Sequence, residues 1–214
     1  VGVKSIREMF RNAGNFGCGF LEGWNTSTIT NMRGTFSYLD NFDPDLGAWN
    51  TSSVTTMENM FSHTKTFSGR GIGAWDTSSV THMGRMFRPE EAIDTSADGP
   101  QYNEVFNPDL SNWDVRKVTN MQDMFTKCIS FEGRGLEKWE TDSLVHMARI
   151  VNKCYSFKAD LSRWDVSKVT SMRYSFPGTT INFYLGSWDV GSVQSFRGTF
   201  ATIEGFTGEG LEGW

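Results

Sequence analysis

"LGAWNTSSVTTMENMF", residues 46–61, returns as "IGAWDTSSVTHMGRMF" at 72–87 and as "LSRWDVSKVTSMRYSF" at 161–176. The tryptophan in each copy sets the frame for the whole 214-residue chain. All eight tryptophans, Trp24, Trp49, Trp75, Trp113, Trp139, Trp164, Trp188 and Trp214, are spaced by 25, 26, 38, 26, 25, 24 and 26 residues. One period with one longer interval is the mark of a repeat array, in which no unit buries its apolar face alone but stacked neighbours do.

Other columns follow from the same frame. Three positions before Trp stands Leu or Ile, from Leu21 to Leu211. Five positions after it comes a branched apolar residue, such as Ile29, Val54 or Leu144, and eight after it Met, replaced by Phe196 in one unit. Twelve after it comes Phe, replaced by Val151 in the Trp139 unit. An aromatic upstream of Trp, Phe42, Phe67, Phe106, Phe131 or Phe157, completes most units. The Trp column therefore reads as core.

Local spacing predicts how each unit is built. L-x-x-W-x-[TV] has the two-residue period of a short strand, and M-x-x-x-F has the i, i+4 spacing of one helical face. Thr30, Thr55, Thr81, Thr119 and Thr170 stand where an N-cap belongs, and Glu58 and Gln122 follow two of them as capping-box partners. The expected fold is a repeat solenoid of about eight coils. Each coil would be a short parallel β-strand plus a helical turn or short helix, with a Gly/Pro-rich return. Returns alternate between "FSGRGI" or "FEGRGL" and "FDPDL" or "FNPDL" types, and the glycines of the first type suit positive-φ turns rather than a phosphate loop.

These motifs, L-x-x-W-[ND]-[TV]-S-x-V-T-x-M-x-x-M-F with a Phe-containing return, resemble the BspA-like leucine-rich-repeat surface proteins, including the repeat common in Mycoplasma lipoproteins. The resemblance covers the chain apart from the long Trp75–Trp113 interval. It implies a leucine-rich-repeat-like stack, an extracellular or cell-surface location and a role in adhesion or recognition, with no catalytic residues to carry over.

Composition narrows the function classes. A net charge of −5 argues against nucleic acid as partner, and no apolar run is long enough to span a membrane. Three cysteines, Cys18, Cys128 and Cys154, are too few for a disulfide scaffold. Cys128 and Cys154 stand at equivalent places in adjacent units, open to either a disulfide or small buried thiols. His63, His82 and His146 lie in separate units without metal-ligand spacing, and no nucleophile–His–Asp motif occurs. A non-enzymatic protein is expected.

Two features are candidate sites. The residue after Trp is Asn25, Asn50, Asp76, Asp114, Glu140, Asp165 or Asp189. Stacking would set these in one outward row, either capping their own turns or contacting a cation or glycan. Asn25 and Asn50 also begin "NTS" acceptors for N-glycosylation. The second feature is an acidic insertion at 88–102, where Asp94, Ser96 and Asp98 precede Gly99 with the alternate spacing of a calcium loop, without its terminal bidentate Glu. The chain, 1–214, is expected to be a single domain and a window of a longer array. The expected function is recognition or adhesion toward a protein, glycan or cation-bridged surface. The competing reading is a structural repeat that assembles through its ends into a surface layer, a fibre or a larger complex, for which an intracellular location stays open.

Overall fold

The computed structural model describes residues 2–14, 19–89, 102–181 and 183–214. The repeats stack through coil-to-coil hydrogen bonds, but not as strands and helices. Among the described residues there is no β-strand and no α-helix. Regular structure is limited to four single-turn 3-10 helices, η1 (Leu21–Gly23), η2 (Ile72–Ala74), η3 (Leu136–Lys138) and η4 (Leu211–Gly213). Beside them runs a line of isolated parallel bridges through Ser5, Asn31, Thr56, His82, Asn120, His146 and Ser171. The strand-plus-helix, leucine-rich-repeat-like solenoid is overturned on this point.

The physical reason lies in how each coil arranges its hydrogen bonds. A coil is a chain of i→i+3 turns. Trp49 N–H donates to the Leu46 carbonyl, Val54 to Thr51, Met60 to Met57 and Ser62 to Asn59. Ten and fourteen residues after Trp the backbone is left-handed, at Asn59 (φ 56) and His63 (φ 63), and again at Asp123 (φ 59) and Lys127 (φ 63). A positive φ ends both an α-helix and a pleated strand. Two consecutive turns with this geometry also place Met and Phe four residues apart on one side, so the spacing that suggests a helical face is equally that of a turn ladder.

Intervening N–H groups leave the coil and bond its neighbour. Met57, Asn59, Phe61 and His63 donate to the carbonyls of His82, Gly84, Met86 and Arg88 at 2.8–3.0 Å. Every second donor thus serves the turn and every other one the stack, which accounts for buried backbone without a sheet. The threonines expected to cap helices instead tie coil to coil. Thr55 donates both its N–H (2.8 Å) and its hydroxyl (3.1 Å) to the Thr30 carbonyl, and Thr81 does the same to Thr55. Of the expected capping-box pair, Glu58 pairs with Arg33 at 3.2 Å and Gln122 donates to Asp123.

Side chains fill the interior in columns. Leu46, Val54, Met57 and Phe61 are fully buried, as are their equivalents in the neighbouring coils. Trp49, Trp75, Trp113, Trp139, Trp164 and Trp188 are buried, while Trp24 and Trp214 are partly exposed and pack against the cluster. Trp75 and Trp113 stack at 6.5 Å and 4°, Trp113 and Trp139 at 6.2 Å and 3°. From Trp49 onward each indole N–H also donates to the carbonyl of the preceding coil's Leu or Ile, Trp75 to Leu46 at 2.9 Å and Trp113 to Ile72 at 2.8 Å. The stack is continuous across the longer interval, since Thr119 N–H bonds the Thr81 carbonyl just as Thr81 bonds Thr55.

Cys128 and Cys154 are free buried thiols, so the disulfide reading is set aside. Each replaces a threonine in its column. Cys128 Sγ donates to the Phe87 carbonyl (3.4 Å) and Cys154 Sγ to Phe125 (2.8 Å), as Thr64 does to Phe36 (3.0 Å). Burial pushes both thiols well above the ordinary range. In the unfolded chain these thiols ionise near pH 9 while the folded ones hold their protons. Stability is therefore retained below that pH and falls above it, by about 1.4 kcal/mol per pH unit for each thiol. Unfolding free energies at pH 8, 9 and 10 test this, and Cys128→Thr plus Cys154→Thr is expected to flatten the slope. An unchanged slope in that variant would reject the thiols as its cause.

Candidate functional site

The tight turn that follows each Trp creates the first candidate surface. Its leading side chain reaches forward two residues to accept from the backbone, because Asn and Asp have the length for that ring and Glu does not. Asn25 Oδ1 accepts from the N–H (3.1 Å) and hydroxyl (2.7 Å) of Ser27, and Asn50 Oδ1 accepts likewise from Ser52. Asp76, Asp165 and Asp189 accept from the N–H groups of Ser78, Ser167 and Gly191 at 2.9–3.0 Å. Asp114 accepts from Arg116 N–H and also pairs with its guanidinium at 2.6 Å. Glu140 is exposed, 4.0 Å from that same guanidinium.

The seven residues thus form one register along the edge of the stack, each one coil from the next. Their threonine and valine neighbours point inward. Thr26, Thr51, Thr77 and Thr141 are buried, and each hydroxyl donates to the carbonyl of the next coil's edge residue at 2.9–3.0 Å. Backbone position and side-chain direction of the acidic edge are therefore both fixed by the core beneath it.

The edge has a defined electrostatic state. The Ser78 hydroxyl and N–H hold the Asp76 carboxyl below its ordinary value, Ser167 does the same for Asp165, and the Arg116 guanidinium does so for Asp114. Lowered carboxyl pKa values stabilise the fold above the ordinary carboxylate range and lose that contribution as pH falls through the lowered values. All three groups are largely solvated, so the effect is small. Carbon-detected NMR titration is expected to place Asp76 and Asp165 below an exposed reference aspartate, and midpoints at or above that reference would refute the turn bonds.

Asp94, Ser96 and Asp98 lie outside the described residues. At the insertion's far side, buried Asn103 re-enters the stack. Its amide donates to the carbonyls of Thr64 (3.4 Å) and Phe67 (2.9 Å), and its Oδ1 accepts from the N–H groups of Val105 and Phe106. Among the described residues no group of three or more His, Cys, Asp or Glu is placed to hold a metal ion.

Sequence reasoning missed a second surface. Beside the left-handed turns, Arg11, Arg33, Arg85 and Arg88 line a groove of about 340 Å³ with Glu8, Tyr38, Asn59 and His63. Nearby, the fully buried Asp123 takes two short bonds from Arg149 (2.6 and 2.9 Å) and lies 3.8 and 3.9 Å from Arg85 and Arg88. The available signal was the clustering of arginine nine to thirteen residues after Trp in an acidic chain. It is diluted because Glu58, Gly84, Gln122 or Asp123 takes the equivalent positions in other coils.

Among the described residues no helix is long and apolar enough to cross a membrane. No curated protein and no solved structure matches the chain. A family described as "Mycoplasma protein of unknown function, DUF285" matches twice, over residues 4–105 and 99–214. The two matches meet within the longer Trp75–Trp113 interval, overlapping at residues 99–105. Spanning nearly the whole chain, the paired matches show that the protein belongs to the DUF285 family.

Proposed function

We propose that this chain is a non-enzymatic recognition scaffold of the cell surface or extracellular space, presenting its acidic edge and the 88–102 insertion to a protein, a glycan or a cation-bridged surface. One observation carries the reading. The repeated Leu, Trp, Thr, Val, Met and Phe columns are occupied with core packing and coil-to-coil hydrogen bonds. What varies between coils is held outward in register on a scaffold of stacked turns. Repeat proteins of this construction present extended surfaces rather than enclosed pockets. The family match supports the class of protein, and the location and the adhesive role are the proposal.

Adhesion of beads carrying the protein to glycan-coated and protein-coated surfaces, with and without calcium, tests it. Retention is expected to fall when Asp76, Asp165 and Asp189 are replaced together by Ser, which preserves a turn-capping oxygen but removes the charge, or when residues 88–102 are deleted. If retention is unchanged in both variants, the acidic edge and the insertion are not the binding surface.

A further inference from the structure

We propose that the arginine groove is a separate binding site for an oxyanion group, sulfate, phosphate or carboxylate, carried on an acidic polysaccharide. It goes beyond the acidic-edge reading, since it uses other residues and the opposite charge.

The charge is local and runs against that of the molecule. Four guanidiniums line the groove with one carboxylate, Glu8, in a chain of net charge −5. The guanidiniums are held in place before any ligand arrives. Arg33 is clamped by Glu58 at 3.2 Å and Arg11 by Glu8 at 3.5 Å. Arg85 and Arg88 lie within 4 Å of Asp123, which is itself bound by Arg149. Arg33 and Arg85 remain 42% and 46% exposed, so their donors are still presented to solvent. A guanidinium held by one carboxylate can still offer further N–H groups of its planar fork, which suits an oxyanion better than an ammonium would. Pre-positioned donors reduce the ordering cost of binding.

The shape of the groove selects the carrier. Its lining includes the small residues Gly34, Ser37 and Ser62 and no aliphatic side chain that would receive an apolar peptide residue. The aromatic ring in its lining, Tyr38, sits between His63 (ring centroids 4.1 Å apart) and the Arg11 guanidinium, 5.1 Å from the ring centre. The ring is thus already engaged by an imidazole and a guanidinium, which compete with a nucleobase for its stacking surface. At about 340 Å³ the groove is at the lower end of small-ligand sites, about 300–1,000 Å³, the scale of a charged sugar unit.

The experiment measures binding of size-matched dextran sulfate, unmodified dextran, oligothymidylate and polyglutamate to the purified protein. Dextran sulfate is expected to bind best, to weaken as salt rises from about 50 to about 200 mM, and to be displaced by millimolar inorganic sulfate. Arg33→Ala with Arg85→Ala is expected to weaken it about tenfold or more, the scale of losing one or two charge-assisted contacts. Arg33→Lys with Arg85→Lys, which keeps the charge but not the fork, should fall between. Arg163→Ala, outside the groove, should bind as the parent does. Near-ultraviolet circular dichroism of the stacked indoles confirms that each variant is folded. Equal binding of unmodified dextran, or full binding by the double alanine variant, would overturn the site. Tighter binding of oligothymidylate or polyglutamate would overturn the polysaccharide assignment.

Discussion

Trp113→Ala is expected to lower the unfolding free energy by about 4 kcal/mol, within the range of about 3–5 for emptying a buried large aromatic site. Trp113 is 4% exposed, so nearly the whole indole leaves a cavity. It lies between the rings of Trp75 and Trp139, so its loss also breaks two stacking contacts in one column. Trp113→Phe separates packing from hydrogen bonding. It keeps most of the ring but loses the 2.8 Å bond from Nε1 to the Ile72 carbonyl. That carbonyl still accepts from Trp75 N–H at 3.0 Å, so the cost of the missing bond is near the lower end, about 1 kcal/mol. Denaturant unfolding followed by near-ultraviolet circular dichroism measures both. A loss below about 1 kcal/mol for the alanine variant would show that the Trp column is not the packed centre of the stack.

Gly135→Ala is the second large effect, expected at about 3 kcal/mol or more. Two penalties combine there. Gly135 has φ 94, a region that L side chains avoid, and an added Cβ would lie 2.2 Å from Ser111 N and 2.5 Å from Ser111 Cα in the preceding coil. Those atoms are backbone and cannot rotate away. Relief requires the two coils to separate, which strains the 3.0 Å bond from Leu110 N–H to the Arg134 carbonyl. Gly71 and Gly210, the matching glycines of "GRGI" and "GEGL", meet the backbone of Gly47 and Gly186 at 2.2 and 2.3 Å, so the effect should recur in each return of this type. Gly23→Ala is the control, with nothing within 4 Å of its added Cβ, and should stay within about 0.5 kcal/mol. Thermal unfolding of the variants side by side checks the contrast, and equal melting temperatures for Gly135→Ala and Gly23→Ala would refute the close approach.

The two predictions differ in how far the sequence alone leads to them. The Trp113 column is visible as a spacing, and so is the need for glycine in "FEGRGL". That Gly135 touches Ser111 is not visible, because the contact joins residues 24 apart through the register of neighbouring coils. The turn-capping role of Asp76, Asp165 and Asp189 was one of two readings the residues offered, and the structure places their Oδ1 atoms in those bonds. The arginine groove was legible only as a loose recurrence of arginine nine to thirteen residues after Trp. Arginine stands nine after Trp at Arg33, Arg173 and Arg197 and ten after it at Arg85 and Arg149, but only the stacking of coils shows that Arg33 and Arg85 face one groove.

The sequence by itself determined the period, the tandem organisation and the identity of the core columns, because those depend on which side chains recur and at what spacing. The tertiary structure alone decided the backbone path. Arg85, Lys127, Arg149 and Tyr174 adopt left-handed φ values of 52–63°, although none of these residue types prefers that region in isolation. They are held there because every second N–H is taken by the neighbouring coil, at spacings of about 2.7–3.0 Å. A strand or helix bonds itself or a sheet. Here the stack supplies the missing partners, so the turns exist only where another coil lies against them.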